Sequence, residues 1–150
     1  MSFTTAELLA FLRMQRLAVQ ASRGPDDSLQ AALIGIAVTD RLEIVFDTLA
    51  TTRKARNLRV SPRLALVIGG WTDGDERTVQ YEGIADEPAG RELDRLKAAY
   101  FDAWPDGPSR ASWPGLTYVR VRPTWIRYSD FTRTPPLITE FVGEQLGSTK

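Results

Sequence analysis

Leu42-Glu43-Ile44-Val45-Phe46-Asp47-Thr48, followed by Leu49-Ala50-Thr51 and then Thr52-Arg53-Lys54-Ala55-Arg56-Asn57-Leu58, is a strand that runs straight into a new helix. Strict alternation puts Leu42, Ile44, Phe46 and Thr48 on one face of the strand, with Thr48 at its end. The helix stops at Ser61-Pro62, because the residue before a proline disfavours helical geometry. A helix start leaves backbone N–H groups unpaired and carries positive partial charge, so a threonine cap followed by two cations suits a phosphate group. No acidic residue interrupts the chain between Asp47 and Asp73. Successive helical residues are rotated by roughly 100°, so the cations cannot all face one anion. Arg53 and Lys54 are the phosphate candidates, while Arg56 and Arg59 are expected on a solvated face.

Upstream, Thr4-Thr5-Ala6-Glu7 reads as a capping box that opens an amphipathic helix over 4–15. Leu17 to Ala21 reads as a strand, Gly24-Pro25-Asp26-Asp27 as a turn, and Leu29 to Thr39 as one strand buried on both faces. Gly35 within it marks a close backbone approach. Downstream, Leu64 to Trp71 and Thr78 to Ala85 form strands joined at Asp73-Gly74. Pro88 opens a second helix with Leu93, Leu96 and Tyr100 as its apolar stripe. Trp104 to Gly115 reads as an irregular loop, and Thr117 to Tyr128 as a last strand that Pro123 bends or places at an edge. Sparse βα alternation and short strands in meander order predict a mainly β fold with helices, an antiparallel barrel rather than a doubly wound sheet.

The 150 residues suit a single domain spanning 1–150, with the helix at 4–15, the barrel over about 17–129 and a C-terminal tail over 130–150. The formal charge is zero, which argues against a general nucleic-acid binder, and any anion site must be local. There is no cysteine and no histidine, which removes thiolate nucleophiles, cysteine–histidine zinc sites and an imidazole base. No spaced carboxylate pair stands out as acid and base, so no catalytic residue is assigned, and redox chemistry here would fall to a cofactor. The longest apolar stretch, Ala31 to Val38, is far too short to span a bilayer, and a cytoplasmic protein without membrane contact is expected.

Phe46-Asp47-Thr48, Thr52-Arg53-Lys54, Asn57-Leu58 and Pro62-Arg63 with the apolar strand behind them resemble the flavin-binding stretch of the pyridoxamine 5'-phosphate oxidase family. Pro123-Thr124-Trp125-Ile126-Arg127-Tyr128 is similar to that family's closing strand. The resemblance covers about Leu17 to Ser129 and implies an antiparallel split β-barrel that binds FMN at the interface of a homodimer. It implies that Thr48 contacts the flavin or its ribityl chain, that Thr52, Arg53 and Lys54 hold the phosphate, that the Asp47 backbone lines the ring, and that Thr78 makes a polar flavin contact.

The same resemblance marks departures. Members that oxidise pyridoxamine phosphate carry an Arg and a Lys on the strand where this chain has Ala31-Ala32-Leu33-Ile34-Gly35-Ile36-Ala37. They also close with an Arg- and His-bearing segment, where this chain has Ser129-Asp130-Phe131-Thr132-Arg133-Thr134-Pro135-Pro136. The expected function is therefore flavin-dependent oxidoreduction of another small molecule. The alternatives are a deazaflavin- or haem-binding relative, and a flavin-binding or stress-associated module without turnover. Trp71, Trp104, Trp113 and Trp125 are expected to pack cores or interfaces rather than to stack on a cofactor.

Overall fold

A computed structural model describes residues 3–146. Its elements are α1 (Thr5–Met14), β1 (Leu17–Arg23), β2 (Leu29–Gly35), β3 (Ala37–Val38), β4 (Ile44–Leu49), α2 (Arg53–Val60), β5 (Arg63–Gly69), β6 (Arg77–Asp86), α3 (Gly90–Ala103), α4 (Gly107–Arg110), β7 (Leu116–Asp130), β8 (Leu137–Phe141) and a 3-10 turn at Gly143–Leu146. The capping box forms as expected: the Thr4 hydroxyl accepts from the Glu7 amide, and the Glu7 carboxylate accepts from the Thr4 amide.

All strand pairs are antiparallel, in the order β2-β1-β5-β6-β7-β4-β3, with β8 added to β7. Consecutive strands run as a longer meander only in β5-β6-β7-β8. The two ends of the order, β2 and β3, are consecutive in the chain and separated by Ile36 alone. The sheet therefore curls on itself into a barrel, filled by Ile34, Ile44, Phe46, Leu66, Ile68 and Tyr81 among others. The Tyr81 hydroxyl inside it donates to the carbonyls of Leu42 (2.8 Å) or Val121 (3.1 Å).

The expectation of one strand buried on both faces over Leu29 to Thr39 is corrected. The chain breaks at Ile36, and β2 alternates, with Leu29 82% and Leu33 62% exposed on its outer side. That outer face has no covering element in the described chain. The close approach at Gly35 is by Trp104: a Cβ there would lie 2.7 Å from the indole, whose Nε1 donates to the Ile36 carbonyl. The loop over 104–115 holds one helical turn, α4, not foreseen in the sequence. The tail beyond 130 contributes β8, whose Phe141 is buried against the core of its own chain; residues 147–150 of the expected tail lie outside the described residues.

Pro123 sits in the gap where β7 leaves β4, its partner through Val121, and reaches β8, its partner from Ile126. A missing N–H is harmless there, and the strand bends. Opposite it the register with β6 shifts between Glu82 and Gly83. A Cβ on Gly83 would lie 2.6 Å from the Arg122 carbonyl oxygen and 2.6 Å from Val121. Gly83→Ala is expected to lower stability by about 1–3 kcal/mol, the usual range for overpacking, read as a fall in the urea midpoint at unchanged m-value.

Candidate functional site

β4 is buried on both faces at Val45 and Phe46, one side by the barrel core and the other by Leu96 and Tyr100 of α3. This sandwiching fixes its end, and with it Thr48. The Thr48 and Thr52 hydroxyls lie 2.9 Å apart. Thr52 caps α2 as expected: it accepts from the Ala55 amide (3.3 Å) and donates to the Leu49 carbonyl (3.0 Å). Its one proton is thereby used, so Thr48 donates to Thr52. The two threonines form a buckle between strand end and helix start. The groups left to meet an anion are the Arg53 and Lys54 amides, which have no intrahelical partner at a helix start, and the two cationic side chains.

Among the described residues, Arg53, Lys54 and Arg56 form no ion pair, whereas Arg59 grips Glu87 through two bonds of 2.9 and 2.8 Å. Arg59 lies on a solvated face as expected, tied there to the β6–α3 link. Partial burial lowers the pKa of the Lys54 ammonium, opposed by the charge of Asp47. The Asp47 side chain accepts from the Tyr100 hydroxyl (3.0 Å) and Arg110 Nε (3.1 Å), so it is occupied by α3 and α4. Burial and the neighbouring Asp47 push the Tyr100 hydroxyl up to about 12. These partners, Tyr100 and Arg110, carried no local signal in the sequence, since they come from elements far along the chain.

The structure brings Asp47, Thr48, Thr52, Arg53 and Lys54 together at one end of the barrel. It does not bring Thr78 there. Thr48 pairs with Thr117 and Thr78 with Ser129, at opposite ends of β7. Thr78 instead lines an open cleft of about 860 Å³ with Val67, Gly69, Trp71 and Phe131. Trp71 and Trp113 are exposed, and Trp104 is packed on Gly35 beneath the Arg16 guanidinium, 4.2 Å from the ring centroid.

With this geometry in place, the family profile for pyridoxamine 5'-phosphate oxidase matches residues 4–130. The chain belongs to that family. No curated protein sequence matches it significantly. A haem-binding protein from Mycobacterium smegmatis superposes with a TM-score of 0.79 at 19% identity, over 95% of this chain and 60% of that one, so this chain spans less than two thirds of that protein. A conserved hypothetical protein from Mycobacterium tuberculosis gives 0.72 at 28% identity, over 97% and 93% of the two chains. The haem storage protein HutZ of Vibrio cholerae gives 0.70 at 11% identity, over 82% and 91%. The expected split-barrel fold is thus shown. No described helix is long and apolar enough to cross a membrane, and no group of metal-ligating side chains occurs among the described residues.

Thr52→Ala removes the cap and the Thr48 partner together. It is expected to cost about 1 kcal/mol of stability, with Thr52→Ser restoring most of it, as read by thermal or urea denaturation.

Proposed function

We propose that this chain binds FMN, holding its phosphate at the start of α2, and that it carries out flavin-dependent oxidoreduction of a small molecule. The single observation that carries this is the uncompensated pair Arg53 and Lys54 at a buckled helix start whose first amides are free. Phosphate gains from the helix-end field, from N–H donors and from both cations at once. The Thr48–Thr52 buckle keeps these donors in place before the ligand arrives. FMN, when bound, supplies the electron transfer; the chain itself offers no evident acid or base.

A homodimer with the cofactor at its interface is what the family resemblance implies, and it sets a condition on Thr78. Within one chain it stands on β6 opposite Ser129, at the far end of β7 from Thr117 and the start of α2, so only a two-fold related copy would present it to a ligand there. The uncovered outer face of β2, β1 and β5 suits that copy. Val19 lies opposite Leu33 on one side and Val67 on the other, with Ala21, Ala31 and Ala65 in the next row. Exposed apolar area of this continuity marks an association surface. Leu33→Lys is expected to shift the protein to monomer in sedimentation and to weaken FMN binding in parallel; a dimer that persists would remove the interface assignment.

The neighbours' names also raise haem. Haem iron is ordinarily held by His, Cys, Met or Tyr. This chain has no His or Cys, Tyr81, Tyr100, Tyr118 and Tyr128 are all buried within packed clusters, and Met14, 65% exposed at the end of α1, has no His with which to form a Met/His pair. Those residues fit FMN better than haem.

The test is FMN titration, followed by quenching of flavin fluorescence, of the chain and of the double variant Arg53→Ala/Lys54→Ala. Tight binding that falls by at least two orders of magnitude in a variant with unchanged circular dichroism is expected, given about 1.5–3 kcal/mol for each charged hydrogen bond. Equal affinity would sink the phosphate assignment.

A further inference from the structure

The inner face of β1 runs Ala18, Gln20, Ser22. Gln20 is 0% exposed, yet neither its Nε2 nor its Oε1 has a hydrogen-bond partner in the protein. Its ladder neighbours, Ala32 and Leu66, offer no polar side chain. A primary amide carries two donors and an acceptor oxygen, and burying all of them unmet is strongly unfavourable; native interiors meet such groups with protein or with water. The residue is also not an isolated polar intruder. Ser22, next on the same face, accepts from Asn57 Nδ2 of α2 (3.2 Å) and donates to Gln30 Oε1 of β2 (3.4 Å). Asn57 and Ser22 are themselves buried. Successive residues on one face of a strand stand roughly 6–7 Å apart, which makes the Ser22–Asn57 pair the polar group next to Gln20 along the inner face.

We propose that the barrel interior binds one water molecule at Gln20, bridging its amide to the Ser22–Asn57 pair beneath α2. The occupant is neutral because the face is neutral: Ala18, Gln20 and Ser22 on β1, and Leu64, Leu66 and Ile68 on β5, carry no charge to balance an ion. A water with two or more polar partners is a stable part of a protein interior. The Asn57–Ser22 bond ties α2 to the barrel wall, and the water extends that tie by one residue to Gln20. α2 is thus seated on a polar shelf inside an otherwise apolar barrel. This site is independent of what binds at the outer end of α2.

The test is a crystal structure of the whole chain at a resolution that shows ordered solvent, beside thermal denaturation of Gln20→Met, which keeps the side-chain length and removes the amide. One ordered water within hydrogen-bond distance of Nε2 or Oε1 is expected, together with a melting temperature for the variant lower by roughly 2–4 °C. Density showing Gln20 without water, or bonded directly to protein groups, would overturn the proposal, as would a variant that melts higher. Should Gln20→Met fail to fold, the solvent density of the unaltered chain decides alone.

Discussion

Both edges of the sheet belong to one continuous stretch of chain, because β2 ends at Gly35 and β3 begins at Ala37. That single-residue joint closes the barrel, and much of the remaining architecture follows from it. It requires β4 to lie between β3 and β7, with its inner face in the core and its outer face under α3. β7 pairs with β4 out to Leu49 and so fixes the strand's end, whereas β3 holds only Ile44 and Val45. Thr48 is placed there, and the helix whose cap, Thr52, lies four residues later inherits its position.

The outer shelter over β4 is built on charge as much as on apolar contact. Glu43 at the start of β4 accepts two bonds from Arg95, at 2.8 and 3.2 Å, and one from the Thr39 hydroxyl at 2.7 Å, with Arg120 at 3.5 Å. Burial alone would raise the pKa of this carboxyl, but those partners outweigh it and hold it below the usual range. Arg120 in turn grips Asp86 through two bonds. Breaking such a buried network by removing one partner is costly, whereas its net contribution to stability is small, so its main effect is to fix where α3 lies. At the other end of α3, Tyr100 engages Asp47, joined by Arg110 of α4. The consequence for the site is that the Asp47 side chain is tied to Tyr100 and Arg110 rather than bonded to Lys54, while its charge still acts on the lysine.

The sequence made the strand–helix unit legible because every signal in it is local: alternation over 42–48, the Thr52 cap, the cationic pair and the Ser61-Pro62 stop. The barrel class was legible from strand spacing, but its strand order was not, since β1 pairing β5 and β4 pairing β7 are long-range events without a local trace. The break at Ile36 was missed for a related reason. Ala31 to Val38 is uniformly apolar whether its outer face meets the same chain or another one, so an exposed Leu33 looks the same as a buried one. The resemblance placed Thr78 in the site, and the sheet shows the geometric condition on that placement: only another copy can bring it near α2. Gln20, inside a run that reads as an ordinary strand, gave no sign that its amide is wholly enclosed.

The central claim is that a phosphate, rather than a flavin ring alone, is what the start of α2 recognises. Comparing the dissociation constants of FMN and riboflavin for the purified protein tests it most directly, because the two differ only in that group. A preference for FMN of at least a hundredfold, shrinking as salt is raised, is the predicted result. Equal affinity for both, or no flavin binding alongside a stable haem complex, would contradict it.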